Sequence, residues 1–296
     1  MLLLGHEVPR IRTDTNRPYA TRALAARLAV VVIVLLSGCR TAEKVVAPSN
    51  FRDWAPEQAV LPYAEFQGNQ VTVHNIRNCH YFAKDTFLVD YYDKTIDLNS
   101  LRAVDFIVVP FDVVPSLAHT MLSFEFVGAD GRADHLAVSV ETRKEKDQAY
   151  NPLKGSARQY ELMYVVADER DVIQQRTNYR GEEVYLYRTT ATPDASRMLL
   201  VDVLCRANQL RSEPEFYNTF TNNCATNIVQ HVNRIRPDRI SYSIRVLLPG
   251  YSDRLAYDEG LIAPYGTFEQ TKQHALINSA AQRCADRDDF SELIRR

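Results

Sequence analysis

The chain has 296 residues, of which 46% are hydrophobic and 24% charged, and its net charge is −2 with histidine neutral. Those are ordinary globular proportions, enough for a sizeable buried core. The slightly acidic balance argues against nucleic acid or an anionic membrane face as the main partner. No repeat of fixed period and no low-complexity tract interrupts the sequence.

Residues 1–38 read as an export leader. The apolar run Leu28–Leu36 (LAVVVIVLL) follows Arg10, Arg12, Arg17, Arg22 and Arg27. It is shorter than the roughly 20 apolar residues that span a bilayer. Leu36-Ser37-Gly38-Cys39 resembles a bacterial lipobox, which makes Cys39 the first mature residue and the lipid attachment point. The alternative is a soluble secreted protein with a chance cysteine behind the cleavage site. Removing the leader's five arginines, Glu7 and Asp14 leaves the mature chain at −5. Residues 39–53 are polar and read as a tether, and 54–296 as the exported domain, with its catalytic core at about 104–240. No later stretch approaches a membrane span, so the expected membrane partner is reached through the lipid alone. Arg40, in place of an aspartate, points to the outer rather than the inner membrane of the bacterial cell envelope, on its periplasmic side.

The exported part opens with strand patterns. Val71, Val73 and Asn75 alternate with Thr72 and His74, and Val104–Val109 closed by Pro110 reads as a buried strand. AHTMLSFEFVG and ADHLAVSVETR flank Asp130-Gly131, a turn signal because glycine tolerates positive φ. Further strands are expected over 160–168 and 182–190, separated by the charged Glu169-Arg170-Asp171 run. A helix starts behind Thr192 with Pro193 in its first turn, and Leu199, Val203, Ala207 and Leu210 line its packed face. A second helix starts around Asn222-Asn223-Cys224, carries Ile228, Val232 and Ile235 on one side, and stops at Arg236-Pro237. Residues 245–262 read as an irregular apolar loop, and one last helix is expected from about Phe268 to the end. At least five strands with helices gathered after them make an α+β domain with an antiparallel sheet.

Cys224 carries the chemistry. At a helix amino end, partial positive charge and unpaired N–H groups stabilise a thiolate and receive an oxyanion. Asn222 and Asn223 supply capping oxygens and amide donors there. The competing account is a disulfide, since Cys79, Cys205, Cys224 and Cys284 in an oxidising compartment allow two bridges in three connectivities. A nucleophilic Cys224 must be a free thiol. His119 is the candidate base, with His135 on the adjacent strand as substitute. Folding about Asp130-Gly131 places His119 opposite roughly 141–143: a strict two-residue turn aligns Thr142, and a one-residue bulge aligns Glu141, the candidate orienter. His74, His80, His231 and His274 read as surface or structural. No CxxC, HExxH, Gly-rich phosphate loop or GxSxG elbow occurs, so neither a metal nor another cofactor is expected.

AHTMLSFEF, LAVSVETRKEK, YELMYVVADERD, YRGEEVYLYRTT, FYNTFTNNCATNI and LLPGYSDRLAYDEGLI occur in this order and resemble the Lnb-type N-terminal periplasmic domain over roughly 55–296. The resemblance implies a circularly permuted papain-like fold, similar to lecithin retinol acyltransferase, in which the histidine precedes the cysteine. The family is named for a lipoprotein N-acyltransferase that moves an acyl chain from the diacylglyceryl group to the terminal amine. Carried over, it implies Cys224 as nucleophile, His119 as base and Glu141 as orienter. That acyltransferase has transmembrane helices beyond this domain, and this chain ends at Arg296 with none. The expected function is a lipid-anchored cysteine acyltransferase or lipid-directed hydrolase acting on acylated lipoprotein N-termini. The alternatives are a papain-like cell-wall amidase or peptidase, and a non-catalytic scaffold or binding lipoprotein.

Overall fold

A computed structural model describes residues 47–148 and 160–296. The leader 1–38, Cys39 and the first part of the expected tether lie outside the described residues. From Ser49 the chain is already fastened to the domain: the Ser49 amide donates to Glu161, and Asn50 Nδ2 donates to the Leu210 and Arg211 carbonyls.

Ten strands are described: β1 (Tyr63–Gln67), β2 (Gln70–Arg77), β3 (His80–Ala83), β4 (Thr86–Leu88), β5 (Tyr91–Asp97), β6 (Leu101–Phe111), β7 (Val114–Val127), β8 (Ala133–Arg143), β9 (Glu161–Asp168) and β10 (Tyr185–Arg188). Eight form one sheet in the order β1-β2-β9-β8-β7-β6-β10, with β5 also on β2, while β3 and β4 pair apart. Every pairing is antiparallel except β2 with β9. The domain is α+β, a mostly antiparallel sheet packed with helices.

Both sheet faces are covered. Even-numbered β7 residues such as Leu122 and Phe124 join a core completed by Leu200, Val203 and Leu204. Odd-numbered Met121 joins the other core with Ile107, Ala137, Val172, Ile173 and Phe290. The helices are α1 (Glu169–Gln174), running into a π-helical segment Gln175–Arg180, α2 (Pro193–Ser212), α3 (Cys224–Ile235), α4 (Ile244–Leu247), α5 (Ser252–Asp258), α6 (Phe268–Ala275), α7 (Asn278–Arg283) and α8 (Phe290–Leu293). The charged 169–171 run is thus helical. Asp168 caps α1 by accepting from the Arg170 amide.

Three sequence expectations change. Residues 245–262 are not an irregular loop: α4, a short 3₁₀ turn at Pro249–Tyr251 and α5 occupy most of it. Single turns of helix carry too little periodicity to be read. The last helix is instead α6, α7 and α8, because α6 ends when Leu276 turns to extended backbone. Pro110 also does not close β6; it lies inside the strand, next to a register shift.

Gly250 fits where no other residue does. A Cβ there would stand 2.0 Å from the Pro115 carbonyl oxygen and 2.6 Å from the Ser116 carbonyl carbon. Backbone meets backbone, so neither side yields cheaply. Gly250→Ala should destabilise the domain by about 1–3 kcal/mol, readable as a lowered thermal midpoint. An unchanged midpoint would refute this close approach.

Behind the sheet lies a buried ion network. Asp105 on β6 and Glu169 at the start of α1 are fully buried. Arg295 bridges them, with Nε donating to Asp105 Oδ2 at 2.9 Å and Nη1 to Glu169 Oε2 at 2.8 Å. Burial pushes the Glu169 carboxyl up, but Arg295, with lesser help from Ser123, holds it down at about 2.

Candidate active site

β7 and β8 run as a hydrogen-bonded ladder from Val127↔Ala133 to Met121↔Ser139. The five-residue loop 128–132 is closed by the Gly128 amide on the Arg132 carbonyl, with Gly131 at φ +77°. This loop sets the bulged parity, so continuing the register brings His119 level with Glu141 rather than Thr142. Past Met121 and Ser139 the strands part. β7 stays with β6, through His119↔Val109, and β8 stays with β9, through Glu141↔Met163. A cleft of about 350 Å³ opens there, lined among others by His119, Glu141, Arg176, Asn223 and Cys224.

Ser139 links the two charged candidates. Its hydroxyl donates to Glu141 Oε1 at 2.9 Å, and His119 Nε2 lies 2.7 Å from the same oxygen atom Oγ. Glu141 Oε1 itself stands 3.9 Å from Nε2. Burial pushes the Glu141 carboxyl up, but Arg77, His119, Arg176 and Ser139 outweigh it and hold it down at about 2. An ionised carboxylate only accepts, so the single Ser139 proton points to Glu141. Ser139 Oγ must then accept from His119 Nε2–H. The tautomer follows: Nδ1 is unprotonated and available as a base.

Burial first, then the Arg176 charge with Arg180 adding to it, pushes the His119 imidazole down to about 3 against the pull of Glu141. The imidazole is therefore neutral throughout the ordinary pH range. Its imidazolium raises no acid limb near pH 6.5. For any reaction that uses it, kcat/KM should stay level from about pH 7 down to about pH 4. Ser139→Ala should cost roughly tenfold to a hundredfold in that quantity, because the tautomer is no longer fixed. An acid limb near the ordinary histidine value would contradict the first, and an unchanged kcat/KM in Ser139→Ala the second.

Cys224 is the first residue of α3, and Asn223 is its N-cap in a capping box with Thr226. The cap works because the Asn223 side-chain oxygen accepts from the Thr226 amide at 2.9 Å, and the Asn223 amide donates to Thr226 Oγ1 at 2.8 Å. The thiol is 4% exposed and lies 3.9 Å from the Ala118 carbonyl oxygen. Burial raises its pKa, opposed by Thr120 and by the backbone at Ala225 and Cys224. Those two amides, at the first two positions of a helix, have no intrahelical carbonyl to bond. The sulfur thus sits on the Ala118 and Thr120 side of β7 while the imidazole leaves from the other side. Both reach the same cleft, and no direct hydrogen bond joins them among the described residues.

The two asparagines serve the helix start. Asn222 donates to Glu215 and the Phe216 carbonyl and accepts from Asn227, outside the cleft lining. Asn223 lines the cleft, but its side-chain Nδ2 donates to the Thr219 carbonyl at 2.6 Å. Gln58 donates to Glu141 Oε2 at 3.2 Å, and Arg176 Nη2 stands 3.8 Å from Oε1. Arg143, two residues on from Glu141, lies over the Trp54 ring and donates to the Gln58 and Ala59 carbonyls. Ser139, Thr120, Gln58 and Arg176 were not singled out from the sequence. Only the alternation of β8, with Ser139 two positions before Glu141, signals any of them.

His135 is excluded as a base for this cleft. It faces Glu125 at the turn end of β8, six positions and roughly 20 Å from Glu141. His231 is structural, set between Asp202 at 2.6 Å and the Tyr164 hydroxyl at 2.6 Å. Cys79, Cys205, Cys224 and Cys284 are all free thiols. No cluster of three His, Cys, Asp or Glu side chains suited to a metal ion occurs among the described residues, and no described helix is long and apolar enough to cross a membrane.

No curated protein and no solved structure matches the chain. The model of the Lnb N-terminal periplasmic domain family matches residues 88–250, a span that contains β7, β8, Cys224 and Gly250. That match covers more than half of the chain, and this protein belongs to the Lnb N-terminal periplasmic domain family, a family of periplasmic domains.

Proposed function

We propose that this protein is a cysteine-dependent acyltransferase or lipid-directed hydrolase, with the acylated amino terminus of lipoproteins as its favoured substrate. The observation that carries the reading is one cleft holding a free thiol at a helix amino end and a histidine whose base nitrogen is freed by a Ser139–Glu141 relay. The histidine-before-cysteine order accords with a permuted papain-like arrangement.

In the first half-reaction His119 Nδ1 takes the thiol proton as Sγ attacks an ester carbonyl. The tetrahedral oxyanion is held by the Cys224 and Ala225 N–H groups. Collapse breaks the ester C–O bond. The imidazolium returns its proton to the departing alkoxide, and the acyl group remains as a thioester. An amine or water then loses its proton to Nδ1, attacks the thioester and restores the thiol. The neutral ground state of both groups means that the proton moves during attack rather than before it.

The test is acylation by an activated short-chain ester, followed by mass spectrometry of the cysteine peptides. The adduct is expected on Cys224. Labelling of exposed Cys205 alone, or of no cysteine, would overturn the assignment. A cell-wall amidase is the second reading, favoured by the charged cleft walls of Arg176, Arg180, Glu141 and Glu182. Competition between peptidoglycan fragments and acyl esters for Cys224 labelling separates the two.

Lipid anchoring at Cys39 belongs to the same reading, since it would bring the domain to its substrate. Cys39→Ala is expected to shift the protein from the membrane fraction to the soluble exported fraction, or to leave it unprocessed. Unchanged mature-size membrane attachment would remove the anchor.

A further inference from the structure

Large apolar side chains stand in solvent around the mouth of the Cys224 cleft. Val113 is 93% exposed, Ile244 64% and Phe220 57%, and Val114, Tyr242 and Tyr251 are exposed with them. The chain places them next to cleft walls. Val113 and Val114 form the tip between Phe111 and Leu117, and Phe220 follows Thr219. Ile244 lies one helical turn before Leu247, and Tyr251 ends the 3₁₀ turn that begins at Pro249. Two ties hold these segments together. The Tyr242 hydroxyl donates to the Phe220 carbonyl at 2.7 Å, and the backbone of Gly250 packs against that of Pro115 and Ser116. An apolar patch of this kind marks a contact with a protein or a membrane.

The form of the patch and the entry of the chain decide between them. Its residues sit on separate tips around an opening and mix tyrosine and phenylalanine with branched aliphatics, the side chains that settle at the surface of a bilayer. Asp112, exposed beside Val113, holds that tip at headgroup depth. The chain enters the domain at this same end: Arg143 donates to Asn50 Oδ1 at 3.0 Å and to the carbonyl of Gln58, a cleft wall that itself donates to Glu141. From Cys39 to Ser49 the chain reaches at most about 35 Å. The β7–β8 turn, at the other end of the sheet, lies about 33 Å from Arg143 along β8. An anchor at Cys39 therefore favours the cleft end as the one that meets lipid.

We propose that this apolar ring docks on the surface of a lipid bilayer, so that the Cys224 cleft opens against the membrane. The inference rests on the anchor and thiol readings above and adds a second membrane contact, made by the domain itself. The mature chain is acidic, so the attraction is apolar rather than ionic and insensitive to salt.

Two measurements test it. In the first, exported Cys39→Ala protein is sedimented with phosphatidylcholine vesicles, as it stands and with Phe220→Ser and Ile244→Ser. Each serine should lower the partition coefficient by about tenfold, and the parent should stay bound at about 0.5 M salt. Neither side chain lines the cleft, so acylation of Cys224 by a water-soluble ester should be unchanged, which also shows that the variants are folded. The second uses the native lipid-anchored protein in vesicles of brominated phosphatidylcholine, and it decides the matter even where Cys39→Ala is left unprocessed. The chain has one tryptophan, the buried Trp54. A second one placed by Ile244→Trp should be quenched by the bromine, and one placed by Met198→Trp should not. Met198 is also exposed, but it lies beside Leu98, near the start of β6, where Leu101 pairs with Phe126 at the far end of the sheet. Equal vesicle binding by the parent and the double serine variant, release of the parent by salt, or equal quenching at 198 and 244 would overturn the docking. Self-association of the parent, lost in the serine variants and without vesicle binding, would make a second copy the occupant and overturn it too. Vesicle binding through the ring with no labelling of Cys224 would uphold the docking and remove the thiol reading.

Discussion

Arg295→Met is expected to lower the stability of the domain by about 3–5 kcal/mol. Arg295 bridges Asp105 and Glu169, both fully buried. Without it, among the described residues, Asp105 keeps Arg188 at 2.9 Å, and Glu169 keeps the Ser123 hydroxyl and the weaker pull of His135. A domain of this size loses roughly 2–4 °C of thermal midpoint per kcal/mol, so the shift is easily measured. The pH dependence identifies the cause. Arg295 holds Glu169 ionised down to about pH 2, and that contribution is present above the unfolded carboxyl value and lost as pH falls toward the folded one. In the variant the desolvated carboxyl takes up a proton at higher pH than in the unfolded chain. Its deficit should therefore narrow as pH is lowered from about 7 to about 4. A pH-independent deficit would mean that lost packing, and not an orphaned charge, is responsible.

Cys224→Ala should abolish thioester formation outright, and His119→Ala should lower the acylation rate by about 10²- to 10⁴-fold. Glu141→Gln should cost less, because it removes charge from the relay while leaving the imidazole in place. The pair is tested by single-turnover acylation and by circular dichroism, which confirms that each variant is folded. Full activity in His119→Ala would place the base elsewhere. Full activity in Cys224→Ala would place the nucleophile elsewhere.

Much of this site is legible in the sequence because its signals are local. Asn223 followed three residues later by Thr226 ahead of an apolar-periodic run marks the start of α3, and Asp130-Gly131 between alternating strands marks the hairpin. The parity of the hairpin is not local. It depends on a five-residue loop in which Gly128 and Arg132 close the turn, and on that parity hangs whether Glu141 or Thr142 faces His119. Ser139 is a small polar residue in a strand, indistinguishable by type from many that fill space. Only the distances to His119 and Glu141 give it a role. Arg176 and Arg295 are surface-like letters in charged stretches, and their burial comes from sheet residues far away in the chain. The short helices between 244 and 258 are held by Val246 and Leu255 packing with Ile240, not by their own periodicity.

The protonation of the thiols bears on survival as much as on chemistry. Cys79, buried beside Asp171, is pushed up to about 12, and Cys205, Cys224 and Cys284 are all raised above the ordinary thiol value. Thiol–disulfide exchange proceeds through the thiolate. Four unpaired cysteines in an oxidising compartment would otherwise invite sulfenic acids and mispaired bridges. Cysteines that stay protonated react slowly with peroxide and with stray disulfides, so the domain can remain reduced where its surroundings are not.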